Sequence, residues 1–276
     1  MMKVAIIGAG TGGMASAIRL AKLGYDVSVF EANEFVGGKV NERWIGSYRF
    51  DMGPSVFTEP ALIEELMTLC GKNPSDFSYR QLEESCRYFF SDGQQVNIPA
   101  GLNQTAQTFE AAFGENPQRT ARFLKRLSLN YQSLSPVFIQ ASLHRLNQWC
   151  NKGIFRAVLR IPYYGMVRTM NAVNQSRFKN PKTAQVLNRM ATYNGSSPYR
   201  TPGLLNIISH LEFNEGPAMP IGGMVQISKT LHQLCLELGV QFHLNEKVEE
   251  ILHTQDQVTG IRTNLKSVDC DIVVSN

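Results

Sequence analysis

The stretch that decides the fold lies at the start of the chain, where Lys3-Val4-Ala5-Ile6-Ile7 leads directly into Gly8-Ala9-Gly10-Thr11-Gly12-Gly13. The first five residues are a short apolar, β-branched run, which predicts a buried strand. The glycines follow the pattern G-x-G-x-x-G. An apolar face with helical spacing comes next and stops at Gly24, which predicts a helix ended by a left-handed glycine. A strand, a glycine loop and a helix in this order are typical of a dinucleotide-binding crossover.

Each glycine of the loop has a physical reason. Gly8 permits the tight turn, Gly10 lets the backbone approach a pyrophosphate, and Gly13 lets the helix pack close to the strand. The N-terminus of the helix, with Thr11 and Gly12, is predicted to meet the anionic phosphates.

A second buried strand is predicted from Tyr25 to Phe30 and ends at Glu31, which lies 18 residues after Gly13. A carboxylate at this position can accept hydrogen bonds from both hydroxyls of an adenosine ribose and would repel a 2′-phosphate. The strand, loop, helix, second strand and acid all fall in the expected order. This order favours a dinucleotide site over the alternative, a tight glycine loop without a ligand.

The residues after Glu31 and Ala32 indicate which dinucleotide is bound. Gly37-Gly38-Lys39 follows within eight residues, and Phe50-Asp51-Met52-Gly53-Pro54-Ser55 comes next. Two glycines admit a close backbone approach, and Lys39 supplies a positive charge for phosphate. The whole pattern resembles the extended FAD fingerprint of the amine oxidase and phytoene desaturase superfamily. The resemblance implies that Gly37, Gly38 and Lys39 lie beside the pyrophosphate, and that Gly53, Pro54 and Ser55 run past the flavin. The alternative is a glycine turn with an exposed lysine.

The C-terminal part is predicted to return to the same domain. Pro220-Ile221-Gly222-Gly223-Met224 opens a helix that Gly239 ends, and strands are predicted at 240–244, 247–252, 258–263 and 271–275. The run from Asn245 to Ile251 matches the family pattern N-x-x-V-x-x-I. In that pattern the backbone of the valine, here Val248, contacts the adenine side of FAD; the alternative for Val248 is a core residue.

Residues 71–210 are predicted to be mainly helical, with Asn116-Pro117 and Asn180-Pro181 as helix starts. The run from Arg189 to Pro202 resembles the bacterial carotenoid desaturase pattern Y-x-G-x-S/N-P-x-x-x-P, and the motif ending in Met224 follows it as in that family. This part points toward the branch that acts on hydroxylated carotenoids at the 3,4-position. We therefore predict an α/β fold: a discontinuous Rossmann-like FAD-binding domain, residues 1–70 and 211–276, with an inserted helical domain, residues 71–210, that faces substrate and membrane.

Charge is distributed unevenly along the chain. Residues 116–211 contain no Asp or Glu and hold fourteen of the 27 Lys and Arg residues. No nucleic-acid-binding motif occurs, which argues against a nucleic-acid partner. An ordinary solvated basic face remains one interpretation. The preferred one is peripheral attachment to the anionic inner leaflet of the cell membrane, because the basic residues are interleaved with apolar and aromatic ones. With a strand predicted from residue 3 and no spanning segment, a cytoplasmic location is expected.

The predicted function is FAD-dependent desaturation of a carotenoid, an apolar polyene. The resemblance implies that oxidised flavin takes the hydride, so catalytic side chains are left unassigned, and Tyr193 and Arg189 are candidates for the substrate cavity. Five cysteines without a C-x-x-C spacing predict no metal site. Family members continue for roughly as many residues again after a strand like 271–275. We therefore expect the C-terminal part of the fold to be missing and unaided turnover to be low. Two explanations are open: a split or interrupted gene, in which a second polypeptide could carry the missing half, or a truncated chain. The alternatives are a non-catalytic FAD-binding fragment and an amine or protoporphyrinogen oxidase-like flavoenzyme.

Overall fold

The structure, a computed structural model, describes residues 1–138 and 165–276. The middle of the apolar, aromatic and basic run, including Trp149, Arg156 and Tyr163, lies outside the described residues. The chain divides into two compact units, here called unit 1 (Met1–Arg80 with Ala218–Asn276) and unit 2 (Gln81–Pro217).

These unit boundaries lie further along the chain than the predicted ones at 70/71 and 210/211. Unit 1 continues past residue 70 because Phe77 and Tyr79 contact Phe57, with ring centroids 5.9 and 6.1 Å from it. Unit 2 continues past residue 210 because Phe213 is fully buried in its core. Packing of these aromatic side chains therefore explains why both boundaries lie further along the chain than predicted.

The regular elements of the described residues are named in chain order. The α-helices are α1 (Thr11–Lys22), α2 (Ala61–Leu69), α3 (Leu102–Phe113), α4 (Pro117–Phe138), α5 (Met170–Arg177), α6 (Pro181–Asn188) and α7 (Val225–Glu237). The strands are β1 (Lys3–Ile7), β2 (Asp26–Phe30), β3 (Asn41–Ile45), β4 (Tyr48–Met52), β5 (Tyr79–Gln81), β6 (Glu84–Phe89), β7 (Gln95–Pro99), β8 (Ala218–Pro220), β9 (Gln241–His243), β10 (Val248–Thr254), β11 (Gln257–Thr263), β12 (Ser267–Asp269) and β13 (Ile272–Ser275). Short 3₁₀ turns occur at Pro74–Asp76, Arg189–Asn194 and Gly203–Ile207, and a π-helical turn at His210–Glu215.

Unit 1 is built on a parallel four-stranded sheet in the order β13-β1-β2-β9. The strand β1 lies in the middle, with Ala5 opposite Val273 on one side and Ser28 on the other. Both faces of β1 are covered, since Val4, Ala5 and Ile6 are all buried, as expected for a parallel strand. The carboxyl ends of β1, β2 and β13 therefore meet at one edge, where the glycine loop begins.

Two helices bury their apolar faces on this sheet. Met14, Ala17 and Ile18 of α1 are fully buried, and Leu231 and Leu234 of α7 join them in one core. The predicted helix that starts after Met224 is present, and Gly239 ends it at a φ of +79°. Burial of such aliphatic side chains contributes roughly 1.5–3 kcal/mol each.

Unit 1 carries two further β-elements. An antiparallel sheet of β10, β11 and β12 lies in the chain between β9 and β13 of the parallel sheet. The hairpin of β3 and β4 pairs Ile45 with Tyr48 across a two-residue turn. Its strands expose large apolar side chains: Trp44, Ile45, Tyr48, Phe50 and Met52. This hairpin was not predicted, and its apolar residues are not buried within the chain.

Unit 2 combines helices with a hairpin of β6 and β7. Both predicted N-caps are present: the Asn116 side chain accepts a hydrogen bond from the Arg119 N–H (2.8 Å), and the Asn180 side chain accepts one from the Lys182 N–H (2.9 Å). The core contains buried aromatic and aliphatic side chains, with Phe109 and Phe213 at its centre. The prediction of a mainly helical segment did not include the β6–β7 hairpin. In the described parts of the chain, no helix is both long and apolar enough to span a bilayer.

Candidate cofactor site

The glycine loop joins β1 to α1 through a turn that only glycine can make without strain. Gly8 has a φ of +100°, and its N–H donates to the carbonyl oxygen of Phe30 at 2.8 Å. A Cβ placed on Gly13 would lie 2.0 Å from the Gly8 carbonyl oxygen. The absence of a side chain at Gly13 therefore lets α1 begin directly against the end of β1.

The first turn of α1 has no side-chain cap among the described residues. Gly10 occupies the N-cap position in an extended conformation, no described side chain caps the helix, and its first turn contains no acidic residue. The N–H groups at Thr11 and Gly12 therefore sit at the positive end of the helix dipole, an arrangement that favours an anion. Arg19 and Lys22 lie in the last turn, where positive charge is favourable.

Glu31 is held beside this loop. It is only 7% exposed. One oxygen, Oε2, accepts a hydrogen bond from the Ala9 N–H at 2.9 Å. The other, Oε1, accepts from the backbone N–H of Asn33 at 2.9 Å and from its side-chain Nδ2 at 2.7 Å. A carboxylate offers about four lone-pair sites, so capacity remains for a hydroxyl donor.

The paired glycines after β2 contact the same loop. Gly37 forms a parallel bridge with Gly10, and its N–H donates to the Ala9 carbonyl oxygen at 2.7 Å. A Cβ on Gly38 would lie 3.3 Å from the Cα of Gly10. Two segments that the sequence predicts to flank a pyrophosphate are therefore adjacent. The neighbouring Lys39 is exposed.

The segment Gly53-Pro54-Ser55 lies close to these glycines. A Cβ on Gly53 would be 2.1 Å from the Lys39 carbonyl oxygen, so the two backbones are in contact. Pro54 lines a mainly apolar cavity of about 350 Å³ together with Thr11 and Gly12. Ser55 is exposed.

Asp51 connects this segment to α7. Its Oδ2 accepts a hydrogen bond from the Met224 N–H at 3.2 Å, and the Arg49 guanidinium donates to the Gly222 carbonyl oxygen. A Cβ on Gly223 would lie 2.9 Å from Asp51 Oδ1. The glycines before Met224 thus allow β4 to reach the start of the helix.

Two predicted site residues lie outside this group of contacts. Ala32 is exposed next to Glu31. Val248 is half-buried, packs beside Phe30 and Ile261, and pairs with Thr263 in the antiparallel sheet. The residues just before Val248 approach Glu31: the Glu246 N–H donates to the Glu31 carbonyl oxygen at 2.9 Å. The Val248 side chain itself therefore lies in a small apolar core.

Sequence reasoning missed two residues at the loop. Asn33 supplies two of the three hydrogen bonds to Glu31. Asn276 follows β13, its N–H donates to the Ile7 carbonyl oxygen at 3.1 Å, and its side chain would meet a Cβ on Gly12 at 2.5 Å. A signal for Asn276 was present, because a residue at the carboxyl end of a strand that pairs with β1 must lie near the glycine loop.

In unit 2 the structure brings Arg189 and Tyr193 together at Glu212. Both side chains donate to this carboxylate, which is 2% exposed, and Arg189 Nε also donates to the Tyr88 hydroxyl at 2.8 Å. Burial and the hydrogen bond to Glu212 raise the pKa of Tyr193, and burial raises the pKa of Tyr88. Burial opposes the charge of Arg189, but Tyr88 and Glu212 more than offset it and raise its pKa. The cluster therefore holds one carboxylate against neutral phenols and a cation.

The arrangement in unit 1 fits a dinucleotide. A helix N-terminus without a side-chain cap suits a pyrophosphate, and the buried carboxylate of Glu31, held by the Ala9 N–H, suits ribose hydroxyls. Comparison with known proteins identifies the family: the model of flavin-containing amine oxidoreductases matches residues 11–276. The chain belongs to this flavoprotein family. The predicted flavin-dependent family and the α/β fold are confirmed, and the cofactor of this family is a flavin.

Two carotenoid desaturases are similar to the chain over most or all of its length. The 1-hydroxycarotenoid 3,4-desaturase of Flavobacterium sp. (strain P99-3) is 42% identical over 276 residues, which are 100% of this chain and 56% of the relative. The carotenoid 3,4-desaturase of Haloarcula japonica is 32% identical over 250 residues, 90% of this chain and 50% of the relative. The predicted resemblance to carotenoid desaturases is confirmed. The chain spans about half the length of these relatives.

Solved flavoprotein structures share the fold. Cyclohexylamine oxidase from Brevibacterium oxydans IH-35A matches with a TM-score of 0.62 at 19% identity, over 99% of this chain and 57% of that one. At this identity the match supports the fold alone. In the described part of the flavoprotein, no group of three or more His, Cys, Asp or Glu side chains could hold a metal.

Proposed function

We propose that the chain contributes the nucleotide-binding part of an FAD-dependent enzyme that desaturates a carotenoid. The observation that carries the proposal is the 42% identity to a 1-hydroxycarotenoid 3,4-desaturase over all 276 residues. The contacts of Glu31, the glycine loop and Gly37-Gly38 within unit 1 support the cofactor part of the proposal. The substrate class, including a hydroxylated carotenoid, is inferred from the relative.

Desaturation removes two hydrogens from adjacent carbons, one as a hydride and one as a proton. A bound flavin supplies the two-electron acceptor that side chains lack. The chain's own residues bind and orient: Glu31 would hold the adenosine ribose, and the first turn of α1 with Gly37 and Gly38 would hold the pyrophosphate. No side chain is assigned to proton transfer.

We further propose that the exposed apolar strands of the β3–β4 hairpin are covered by the part of the fold that the relatives have beyond the matched half, in this or a second polypeptide. Five large apolar side chains exposed on one short hairpin are unusual for a free surface. The curated relatives are almost twice as long as the matched region. The isolated chain is therefore expected to bind FAD weakly.

Peripheral attachment to an anionic membrane is proposed for the stretch without acidic residues. Fourteen cations without a carboxylate between residues 116 and 211 support it, since each Lys or Arg near an anionic leaflet contributes about 1 kcal/mol. Flotation with phosphatidylglycerol vesicles at low and high salt tests it. Binding that is absent at both salt concentrations would contradict the proposal.

The enzyme proposal is tested by expressing the chain alone and together with a polypeptide carrying the second half of the relatives, in a bacterial host that accumulates carotenoids. The expected result is bound flavin and pigments with a longer conjugated system in the completed pair. Gly13→Val serves as the flavin-free control. If the completed pair binds flavin but leaves every carotenoid unchanged, the chain is a flavin-binding fragment of another activity; if an amine is oxidised, the carotenoid assignment is wrong.

A further inference from the structure

Unit 2 contains a cluster of arginines on and around α4. Arg119, Arg122 and Arg126 are spaced i, i+3 and i+7 and therefore lie on one face of the helix. Arg177, at the end of α5, lies beside them with its guanidinium 5.7 Å from the Phe123 ring centroid. The fifth member is Arg168. We call these five residues the arginine cluster.

The cluster lines two adjoining cavities. The first, about 230 Å³, is lined by Arg126, Arg168 and Arg177; the second, about 310 Å³, by Arg119, Arg122, Arg126 and Arg177. Both share Phe123. Each is several times the roughly 30 Å³ that a water molecule occupies in the liquid, so a small anion fits.

The hydrogen bonds that Arg122 and Arg168 make in the structure go to neutral groups. Arg122 Nε donates to the Gln118 carbonyl oxygen at 3.3 Å, and Arg168 donates to the Ala172 carbonyl oxygen at 2.9 Å and to the Ser176 hydroxyl at 3.4 Å. Within residues 1–138 and 165–276, no carboxylate forms an ion pair with Arg119, Arg122, Arg168 or Arg177.

The carboxylate that precedes the cluster in the sequence, Glu115, binds groups outside the cluster. Glu115 is buried, and its Oε1 accepts hydrogen bonds from the Asn180 N–H at 2.8 Å and from the Thr183 hydroxyl at 3.2 Å. The next acidic residue in the chain after it is Glu212, which binds Arg189 and Tyr193. Neither acid forms an ion pair with Arg119, Arg122, Arg168 or Arg177.

Like charges held together in this way repel one another. Burial, followed by the charges of Arg126, Arg119 and Arg168, lowers the pKa of Arg177. An anion between these side chains would replace repulsion with attraction. Guanidinium groups suit phosphate in particular, because their planar fork of N–H donors matches its oxygens.

We propose that the arginine cluster is a binding site for the phosphate group of an anionic ligand. The proposal goes beyond the flavin site and beyond general attraction to a membrane, because it assigns binding to five named side chains around two cavities. The phosphate can come from a phospholipid headgroup or from a soluble phosphate compound, and the experiment separates these sources.

The chain offers a matched control for total charge. Lys125 lies on α4 and Arg200 lies after the 3₁₀ turn of residues 189–194; both are exposed, and neither lines the cavities. The double variant Lys125→Gln/Arg200→Gln therefore removes the same charge as Arg126→Gln/Arg177→Gln. A general basic face would respond equally to both, whereas a phosphate site responds to the second.

Binding is measured with the full chain and two probes: inorganic pyrophosphate by calorimetry, and phosphatidylcholine vesicles with and without phosphatidylglycerol by co-sedimentation. We expect Arg126→Gln/Arg177→Gln to weaken binding at least about tenfold and the control pair less than about threefold. Saturable pyrophosphate binding that competes with vesicles identifies a soluble phosphate; binding to anionic vesicles alone identifies a headgroup. Equal weakening by the two double variants, or no binding of the wild type to either probe, overturns the proposal.

Folding and cofactor controls keep the result interpretable. Removing mutually repelling charges should leave the thermal midpoint unchanged or higher, and flavin absorbance should be the same as in the wild type. Should the double variant not fold, phosphate and chloride are compared at equal ionic strength with the wild type and with Arg119→Gln. A phosphate-specific rise in the midpoint that shrinks in Arg119→Gln supports the site, and identical midpoints in both salts refute it. Loss of flavin would affect the proposed function without affecting this site.

Discussion

The buried carboxylates of the two units differ in the groups that satisfy them. Glu31 of unit 1 accepts two backbone N–H groups and one neighbouring amide, all from residues of the motif or next to it. Glu212 of unit 2 is bound by the side chains of Arg189 and Tyr193. Unit 1 therefore builds its site from backbone that glycines expose, whereas unit 2 builds its polar cluster from long side chains. We therefore expect the site of unit 1 to be sensitive to a side chain added at a glycine, and the cluster of unit 2 to be sensitive to the loss of a charged group.

The largest effect is expected for Gly13→Val. The new Cβ would lie 2.0 Å from the Gly8 carbonyl oxygen, a distance that backbone atoms can relieve only by moving β1 and α1 apart. We expect a loss of about 3 kcal/mol or more in the free energy of unfolding and the loss of the weak FAD binding that the wild-type chain shows. Chemical denaturation and an equilibrium titration of FAD fluorescence measure these two quantities.

Gly24→Asn is the matched control, because the backbone at Gly24 has a φ of +87°, which Asn tolerates, and nothing lies within 4 Å of the added Cβ. We expect it to bind FAD as the wild type does and to lose less than about 1 kcal/mol in the free energy of unfolding. Equal losses in the two variants would mean that the close approach at Gly13 is not what shapes the loop.

The second largest effect is expected for Glu212→Gln in unit 2. The change leaves the guanidinium of Arg189, which is about one third exposed, without its counter-charge. Breaking one partner of a buried pair costs several kcal/mol; with this partial exposure we expect about 2 kcal/mol in the free energy of unfolding. Urea denaturation followed by circular dichroism measures it.

A double-mutant cycle sharpens this prediction. Replacing both partners, Arg189→Leu with Glu212→Leu, should cost less than the sum of the two single changes, since no charge is left unpaired. An additive result would show that the two side chains contribute independently. Packing, and not the pairing of charges, would then account for the contribution of Arg189 and Glu212 to stability.

The glycine loop of unit 1 and the elements around it could be predicted well, because their positions depend on residues that are close together in the sequence. The spacing from Gly8 to Gly13 and the position of Glu31 after a strand follow from the geometry of one crossover, and the structure has β1, α1 and β2 where expected. The β3–β4 hairpin was missed although Gly46 forms its turn with a φ of +61°. Its exposed apolar side chains do not follow the alternation that marks a half-buried strand.

The polar cluster of unit 2 could be predicted only in part. Arg189 and Tyr193 were singled out from a family pattern, but their partners Tyr88 and Glu212 lie far away in the sequence. No periodicity connects residues that meet through the packing of a hairpin, a 3₁₀ turn and a π-helical turn. Such contacts depend on the tertiary arrangement of unit 2 and need the structure.

The third prediction concerns Glu31→Gln. The amide keeps one acceptor oxygen, so its NH2 group must face the N–H of either Ala9 or Asn33, which are both donors, and it offers no charge to a ribose hydroxyl. We expect ADP affinity to fall about tenfold or more, because a hydrogen bond to a charged group contributes about 1.5–3 kcal/mol. The exposed Glu34→Gln is the control and should change affinity little.

A ligand comparison makes the Glu31 test specific. Wild-type protein should prefer ADP to 2′-deoxy-ADP, and Glu31→Gln should bind the two equally, since the hydroxyl has lost its acceptor. If the preference for ADP survives the change, Glu31 only supports the loop and does not bind the ribose.

The smallest effect is a pH dependence from Cys235 in the core of unit 1. Its thiol is fully buried and donates to the Met14 carbonyl oxygen at 3.5 Å. Burial raises its pKa from the ordinary 9.0 to about 12. The unfolded chain loses this proton near pH 9 and the folded chain keeps it, so the stabilisation is complete below pH 9 and is lost as the pH rises toward 12.

We expect the free energy of unfolding to fall between pH 9.5 and 11 by about 1 kcal/mol per pH unit more in the wild type than in Cys235→Ala. Cys70→Ala, at a half-buried thiol of the same core, is the control and should change the slope less, because water reaches that side chain. Denaturation curves across this pH range measure both slopes. Equal slopes for the wild type and Cys235→Ala would mean that the pKa of Cys235 is not raised in the folded chain. Water would then reach this thiol, and the core of unit 1 around α7 would be less tightly packed than the structure shows.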